Sequence, residues 1–215
     1  MRIFAFIKNI NMKTKMSTIL LIVMCLTINT ADAQQGLTKE ERKKAINLYD
    51  NAMAETDEVI EGLSAAQLRF KPTEDSWSIA DCIEHLTLTE DMFMQMIEKS
   101  LETPADEAMK ANKKFSDKEV FAMITNRDQK MQTQEPLEPS GKWGTTKETM
   151  KAFKSSRKQT ANMIKKTDKD LRNHYFEFPF GTVDTYQLLI FGAGHQKRHN
   201  AQIMEIKNHP DFPTS

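Results

Sequence analysis

Apolar residues recur at helical spacing along four long stretches of the chain, and no stretch keeps the two-residue alternation of a strand. In the first stretch Ala45, Leu48, Tyr49, Ala52, Val59 and Leu63 fall on one face. Thr38 and Glu41 form a capping box at its start, and the helix closes near Gly62. Leu63 to Asp75 reads as a connection. A second helix opens at Ser78, with Asp81 three residues on, and carries Ile79, Ile83, Leu86, Phe93 and Ile97 to about Leu101, before Pro104. The third begins at Thr145 or Thr146 and aligns Met150, Phe153, Ala161 and Ile164. Arg157 shares its period, either as a stem laid on apolar surface or as a group reaching a substrate anion. Asp184 and Gln187 cap the fourth, whose inward stripe reads Leu188, Gly192, His195, His199, Gln202 and Ile206 up to Pro210.

Between the second and third helices, residues 103–142 hold one weaker helical segment, Asp117 to Met131, followed by Pro136, Pro139 and Gly141. This segment reads as an insertion with a short helix lying over the bundle or one of its ends. Lys169 to Thr182 reads as a loop whose Phe176, Phe178 and Phe180 close one end of the core. The expected class is all-α, a four-helix bundle with an inserted short helix between the second and third core helices. Gly192 and Gly194 sit inside the fourth helix, at a cost of about 1 kcal/mol each against alanine. They imply close approach of another backbone, or space kept above His195.

The N-terminus follows a different pattern. Lys13 and Lys15 precede the apolar run Ile19 to Leu26, and Ala31-Asp32-Ala33 follows. A basic start, a short apolar run and an Ala-x-Ala site make a secretory signal peptide, cleaved after Ala33, with translation starting at Met12. The run is shorter than the roughly 20 residues of a spanning helix, so no stable membrane span is expected after cleavage. The expected domain is residues 34–215, exported to the periplasm or the extracellular space. Cys25 leaves with the leader, so Cys82 is the single remaining thiol, without an internal disulfide. Of 30 basic and 30 acidic residues the leader removes four and one, leaving 26 and 29. That balance argues against a nucleic-acid binder.

His195 and His199, four residues apart, project from one helical face and are spaced to share a cation. His85 lies on the flank of the second helix's apolar stripe and is the candidate third ligand. Three neutral imidazoles leave coordination positions for water or substrate, the pattern of a catalytic rather than a structural site. Because all three must be neutral to bind, affinity should fall as the pH drops toward 6. Position 196 is Gln, so the helical metalloprotease motif is absent, and no general base or other catalytic residue is evident. Asp81 serves either as the helix N3 residue or as an acceptor orienting His85. Gln202 either reaches the site or bonds across helices. His174 and His209 read as solvated, Cys82 as a buried small hydrophobe, and Trp77 as a staple before its helix.

Asp75-Ser76-Trp77-Ser78-Ile79-Ala80-Asp81-Cys82-Ile83-Glu84-His85-Leu86 resembles the second-helix motif of the DinB-like superfamily. His195-Gln196-Lys197-Arg198-His199-Asn200-Ala201-Gln202-Ile203 is similar to that superfamily's His-x3-His-x2-Gln-Ile motif, and Glu135-Pro136-Leu137-Glu138-Pro139 also resembles it. The likeness runs from about Leu37 to Pro210. It implies a four-helix bundle holding a divalent metal, zinc or nickel, through His85, His195 and His199, and often a homodimer. It also implies a metal-dependent transferase or isomerase using small thiols, or a hydrolase, on an unknown small-molecule substrate. The alternative is a non-catalytic metal-binding or stress-associated bundle that works through a protein partner. Export sets the chain apart from the mostly cytoplasmic relatives and removes it from cytosolic thiols.

Overall fold

The computed structural model describes residues 36–128 and 131–214. The expected leader, residues 1–33, lies outside the described residues. Four long helices make the bundle: α1 (Lys39–Ile60), α3 (Ile79–Ser100), α5 (Thr146–Lys166) and α6 (Thr185–Lys207). Two shorter ones, α2 (Ala65–Arg69) and α4 (Asp117–Thr125), occupy connections, with single 3₁₀ segments at Glu107–Asn112 and Glu135–Leu137.

Each long helix starts where its side chains predict. Thr38, Ser78 and Asp184 accept from the backbone N–H three residues on, while Glu41, Asp81 and Gln187 reach back to the cap. Thr145 caps α5 through Glu148 N–H. Asp81 is thereby committed to the cap of α3, which decides between its two candidate roles. A fourth capping box, Ser64 with Gln67, nucleates the single turn of α2 inside what reads as a plain connection.

α1 packs on α5 and α6, and α3 packs on the same two helices, so α1 and α3 face each other across the diagonal. Tyr186 Oη reaches the carbonyl of Glu41 and Lys207 Nζ that of Val59, so α1 and α6 run parallel. Ser100 meets Thr185 at one end of α3 while His85 meets His195 toward the other, so α3 runs antiparallel to α6. Thr160 bonds Glu90 and the loop before α5 bonds Glu84, which makes α3 and α5 parallel. This topology accounts for the insertion. Parallel neighbours cannot be joined by a short turn, and a helix of 22 residues obliges the chain to return about 33 Å.

The insertion makes that return along the outer face of α6. Asp106 N–H meets Asn173 O, Lys113 bridges to Thr182, α4 packs on α6, and Arg127 pairs with Glu205 before the chain recrosses to α3. α6 is therefore buried on nearly every side rather than along one stripe. The two glycines serve this enclosure. A Cβ on Gly192 would lie 2.9 Å from Tyr49 Oη, and one on Gly194 2.4 Å from Ile124 Cγ2, so side chains of α1 and α4 fill the spaces.

The segment expected as a loop at 169–182 contains a hairpin, β1 (Tyr175–Phe178) paired antiparallel with β2 (Gly181–Asp184). Four residues a side, with Pro179 in the turn, are too few to give a readable alternation. His174, expected at the surface, is buried at its root: its carbonyl accepts from Thr185 N and Oγ1. His209 is half-buried against Phe70.

Polar interactions lock the ends and the middle. Arg172 meets Glu41, Asp117 and Asp184 while stacking 4.0 Å over Tyr186, tying α1, α4 and α6 together. Burial, which alone would raise the carboxyls of Glu41 and Asp117, is outweighed by hydrogen bonds from Thr38 and Arg172, and both are held below their usual range. In the core, Arg157 pairs with Glu90 at 3.0 Å and stacks on Tyr49, the two charges being 7% and 2% exposed. The packed-stem reading of Arg157 holds, with the head buried instead of at the edge. Between α1 and α6, Gln196 donates to Thr56, Thr56 to Asn200, and Asn200 to the carbonyl of Ala52, at 2.7, 2.7 and 2.9 Å.

Candidate metal centre

His85, on the second turn of α3, and His195 and His199, on successive turns of α6, meet on the face where those antiparallel helices touch. His85 Nε2 lies 3.3 Å from His195 Nε2, and His199 Nε2 lies 3.2 Å from it. One nitrogen from each of the three imidazoles falls within 4.8 Å of the others, forming a group able to hold a metal ion. Nitrogens bound to one tetrahedral cation at 2.0–2.1 Å stand about 3.3 Å apart, so these separations suit a shared ion.

The far sides of two rings are fixed. His85 Nδ1–H donates to the carbonyl of Leu137 at 2.9 Å, and His199 Nδ1–H donates to Gln202 Oε1 at 3.0 Å. Each outer partner takes the ring proton, which leaves the Nε2 lone pair of both imidazoles directed at His195 Nε2. A single N–H on His195 satisfies one of them at most, whereas a cation satisfies all three. The donor set is nitrogen only, which suits a transition-metal cation better than calcium or magnesium.

Electrostatics keep the cluster neutral. Burial pushes His195 and His199 well below the ordinary imidazole range, and the neighbouring imidazoles push them in the same direction. Burial also lowers His85, against a smaller opposing effect of the Leu137 carbonyl. The rings sit among aromatics. Trp77 lies 4.8 Å from His85 and stacks on His199 at 5.9 Å, Phe93 meets His195 edge-on, and Phe191 stacks on it. Trp77 belongs to the apolar cluster under α3, as a staple should, and is also a wall of the site.

Of the side chains singled out in the sequence, the three histidines converge and Gln202 reaches the site. Asp81, His174 and His209 make their recorded contacts elsewhere. Leu137 was not legible as an orienting group, because its contribution is a main-chain carbonyl. The only signal was the Glu-Pro-Leu-Glu-Pro phrase, in which Pro136 sits inside the 3₁₀ turn that carries Leu137 and Pro139 follows the extended Glu138 that ends it. Glu84 was missed as well. Buried at 6% exposure, its carboxylate accepts from the N–H groups of Ser140, Lys142 and Gly141 at 2.9, 2.9 and 3.0 Å, holding the loop that follows Leu137.

Residues 48–203 match the model of the DinB superfamily, and the chain belongs to it. The chain is 24% identical to the uncharacterised protein YuaE of Bacillus subtilis over 164 residues, covering 75% of this chain and 96% of YuaE. It is also similar to the structure of YfiT from Bacillus subtilis, described as "a probable metal-dependent hydrolase with an unusual four-helix bundle topology". That match has a TM-score of 0.55 and 13% identity, and covers 86% of this chain and 97% of YfiT; at this identity the likeness speaks for the fold.

Proposed function

We propose that this chain is an exported metal-dependent enzyme of the DinB superfamily, in which His85, His195 and His199 hold zinc or nickel and act on a small molecule. The observation that carries the reading is the convergence of three imidazole nitrogens, two of them on rings whose outer N–H groups are already taken by Leu137 and Gln202. When bound, a divalent cation there supplies Lewis acidity and lowers the pKa of a coordinated water or thiol. The chain itself contributes the rest. Burial keeps the imidazoles neutral and thus competent as ligands, Trp77 and Phe93 pack against the rings of His85 and His195, and His195 is the most accessible of the three. Hydrolysis, and transfer or isomerisation with a small thiol, are the two reaction types this equipment serves.

Export rests on the basic, apolar and Ala-x-Ala sequence before Gln34. Among the described residues no helix is long and apolar enough to cross a membrane. Sequencing the N-terminus of the protein recovered outside the cytoplasm tests export, with Gln34 expected first. The homodimer implied by family resemblance is part of the same proposal and is tested by sedimentation.

The central experiment purifies the protein without a histidine tag and measures bound metal and the uptake of zinc and nickel. About one equivalent per chain is expected, lost in His85→Ala and His195→Ala and kept in His174→Ala. A protein that takes up neither metal refutes the reading. Metal-loaded protein is then screened for thiol transfer and for ester and amide hydrolysis. Tight binding without turnover, and without exchange of thiols at the metal, favours the non-catalytic alternative.

A further inference from the structure

His85 and His199 are 4% and 7% exposed, and His195, half-buried, is the most accessible of the three. The His195 side is built of phenylalanine. Phe191, one turn before His195, stacks on its ring with planes 9° apart and centroids 6.4 Å apart, and Phe93 stands edge-on at 6.0 Å. Phe178 and Phe180, at the turn of the hairpin, continue the surface. Their rings are 5.1 Å apart and 5° from parallel, and each lies within 6.0 Å and 11° of Phe191.

The sequence makes this arrangement unusual. The turn runs Phe178-Pro179-Phe180-Gly181, with Gly181 at φ 137°. Turn positions favour glycine, asparagine, aspartate and serine, which are at home in water. Here a phenylalanine occupies the turn. Phe180 stays half-exposed, is not one of the buried core residues, and rests on two rings that are themselves half-exposed. Phe178 and Phe191 also pack on the main core, whereas Phe180 adds a third parallel ring beside them that is not part of that core cluster. A local departure of this kind, placed beside a functional site, is the expected mark of binding.

We infer that the substrate carries an aromatic ring, which seats against Phe178, Phe180 and Phe191 and directs its reacting group toward His195. This deepens the function proposed above and rests on it. The three rings share one orientation, so a planar ligand finds offset-stacked partners without rearrangement. Ring burial supplies affinity, and the common tilt supplies discrimination between a flat ring and a puckered one. Continuity with a metal-ligand candidate, through the Phe191–His195 stack, makes this surface a substrate wall.

The test loads the full chain with cobalt(II), whose absorption reports ligand exchange at the metal, and titrates three thiols. Phenylmethanethiol is expected to bind about tenfold tighter than ethanethiol and about threefold tighter than cyclohexylmethanethiol. In Phe180→Leu the apolar area remains while the π face is gone. Cobalt uptake and melting temperature should hold, and the preference for phenyl over cyclohexyl should vanish. A cobalt-loaded protein that binds phenyl and cyclohexyl thiols equally, or whose preference survives Phe180→Leu, overturns the inference and leaves the metal centre standing. A chain that takes up no cobalt overturns the metal centre, and the inference with it.

Discussion

Glu84 tests whether the insertion builds the metal centre or merely covers it. Its carboxylate is nearly inaccessible and accepts three backbone N–H groups from residues 140–142. Glu84→Ala removes all three bonds. A hydrogen bond to a charged acceptor contributes about 1.5–3 kcal/mol, but residues 140–142 are exposed, so their freed N–H groups can turn to water. The expected loss of stability is therefore nearer one such bond than three, about 2 kcal/mol, or a fall of about 4–8 °C in melting temperature. The effect on the metal should be the larger signal. Pro139 couples the loop to Leu137, whose carbonyl holds His85 Nδ1–H, and losing a group that orients a metal-binding histidine costs about 10- to 100-fold in affinity. Zinc affinity measured against a chelating indicator should fall at least about tenfold. Glu84→Gln, which keeps one acceptor and sets an NH₂ group against the remaining N–H, should fall between wild type and Glu84→Ala. If the melting temperature drops while zinc affinity stays within about twofold, the Leu137 carbonyl is not held through Glu84 and the argument fails.

Three further expectations follow from the packing. Gly194→Ala should destabilise the protein by at least about 1 kcal/mol despite alanine's better helix propensity, because its Cβ collides with Ile124; in thermal melts, pairing it with Ile124→Ala should cost less than the two changes added. Glu90→Ala should cost about 3–5 kcal/mol by leaving Arg157 buried and unpaired, and chemical denaturation should show Glu90→Leu with Arg157→Met to be milder than Glu90→Ala alone. The carboxyls of Glu41 and Asp117 are held below their ordinary values of 4.5 and 3.8, so the stability they confer is present above those values and is lost as acid takes the pH through the lowered ones. Arg172→Met should lower the melting temperature at neutral pH and flatten this acid decline; an unchanged acid limb would detach those carboxyls from Arg172.

The caps made the bundle legible. Thr38, Ser78, Thr145 and Asp184 each stand where the sequence locates a helix start, because capping is a local bond between neighbours in the chain. The three histidines were legible for a related reason: His195 and His199 are one turn apart, and His85 sits beside an apolar stripe. What the residues alone left open was set by topology. The parallel course of α3 and α5 leaves no local trace, so the insertion read as an addition, when it is the return path the bundle requires. The burial of α6 on its outer face, the buried root of His174 and the Leu137 carbonyl all depend on where that return path runs. Gly192 and Gly194 read as room for another backbone or for open space above His195, and packing shows instead that side chains, those of Tyr49 and Ile124, take up the room.

The chain of bonds through Gln196, Thr56 and Asn200 acts as an alignment pin. Apolar faces alone permit two helices to settle one turn out of step, about 5.4 Å along the axis, with modest loss of contact. Such a slip between α1 and α6 would strand several buried polar groups at about 1–3 kcal/mol each, so the misaligned bundle is selected against. His195 rides on the same helix as Gln196 and Asn200, and its 3.3 Å approach to His85 of α3 tolerates no displacement of α6 of that size. The metal centre is thus calibrated from the far side of α6, by residues that never approach it.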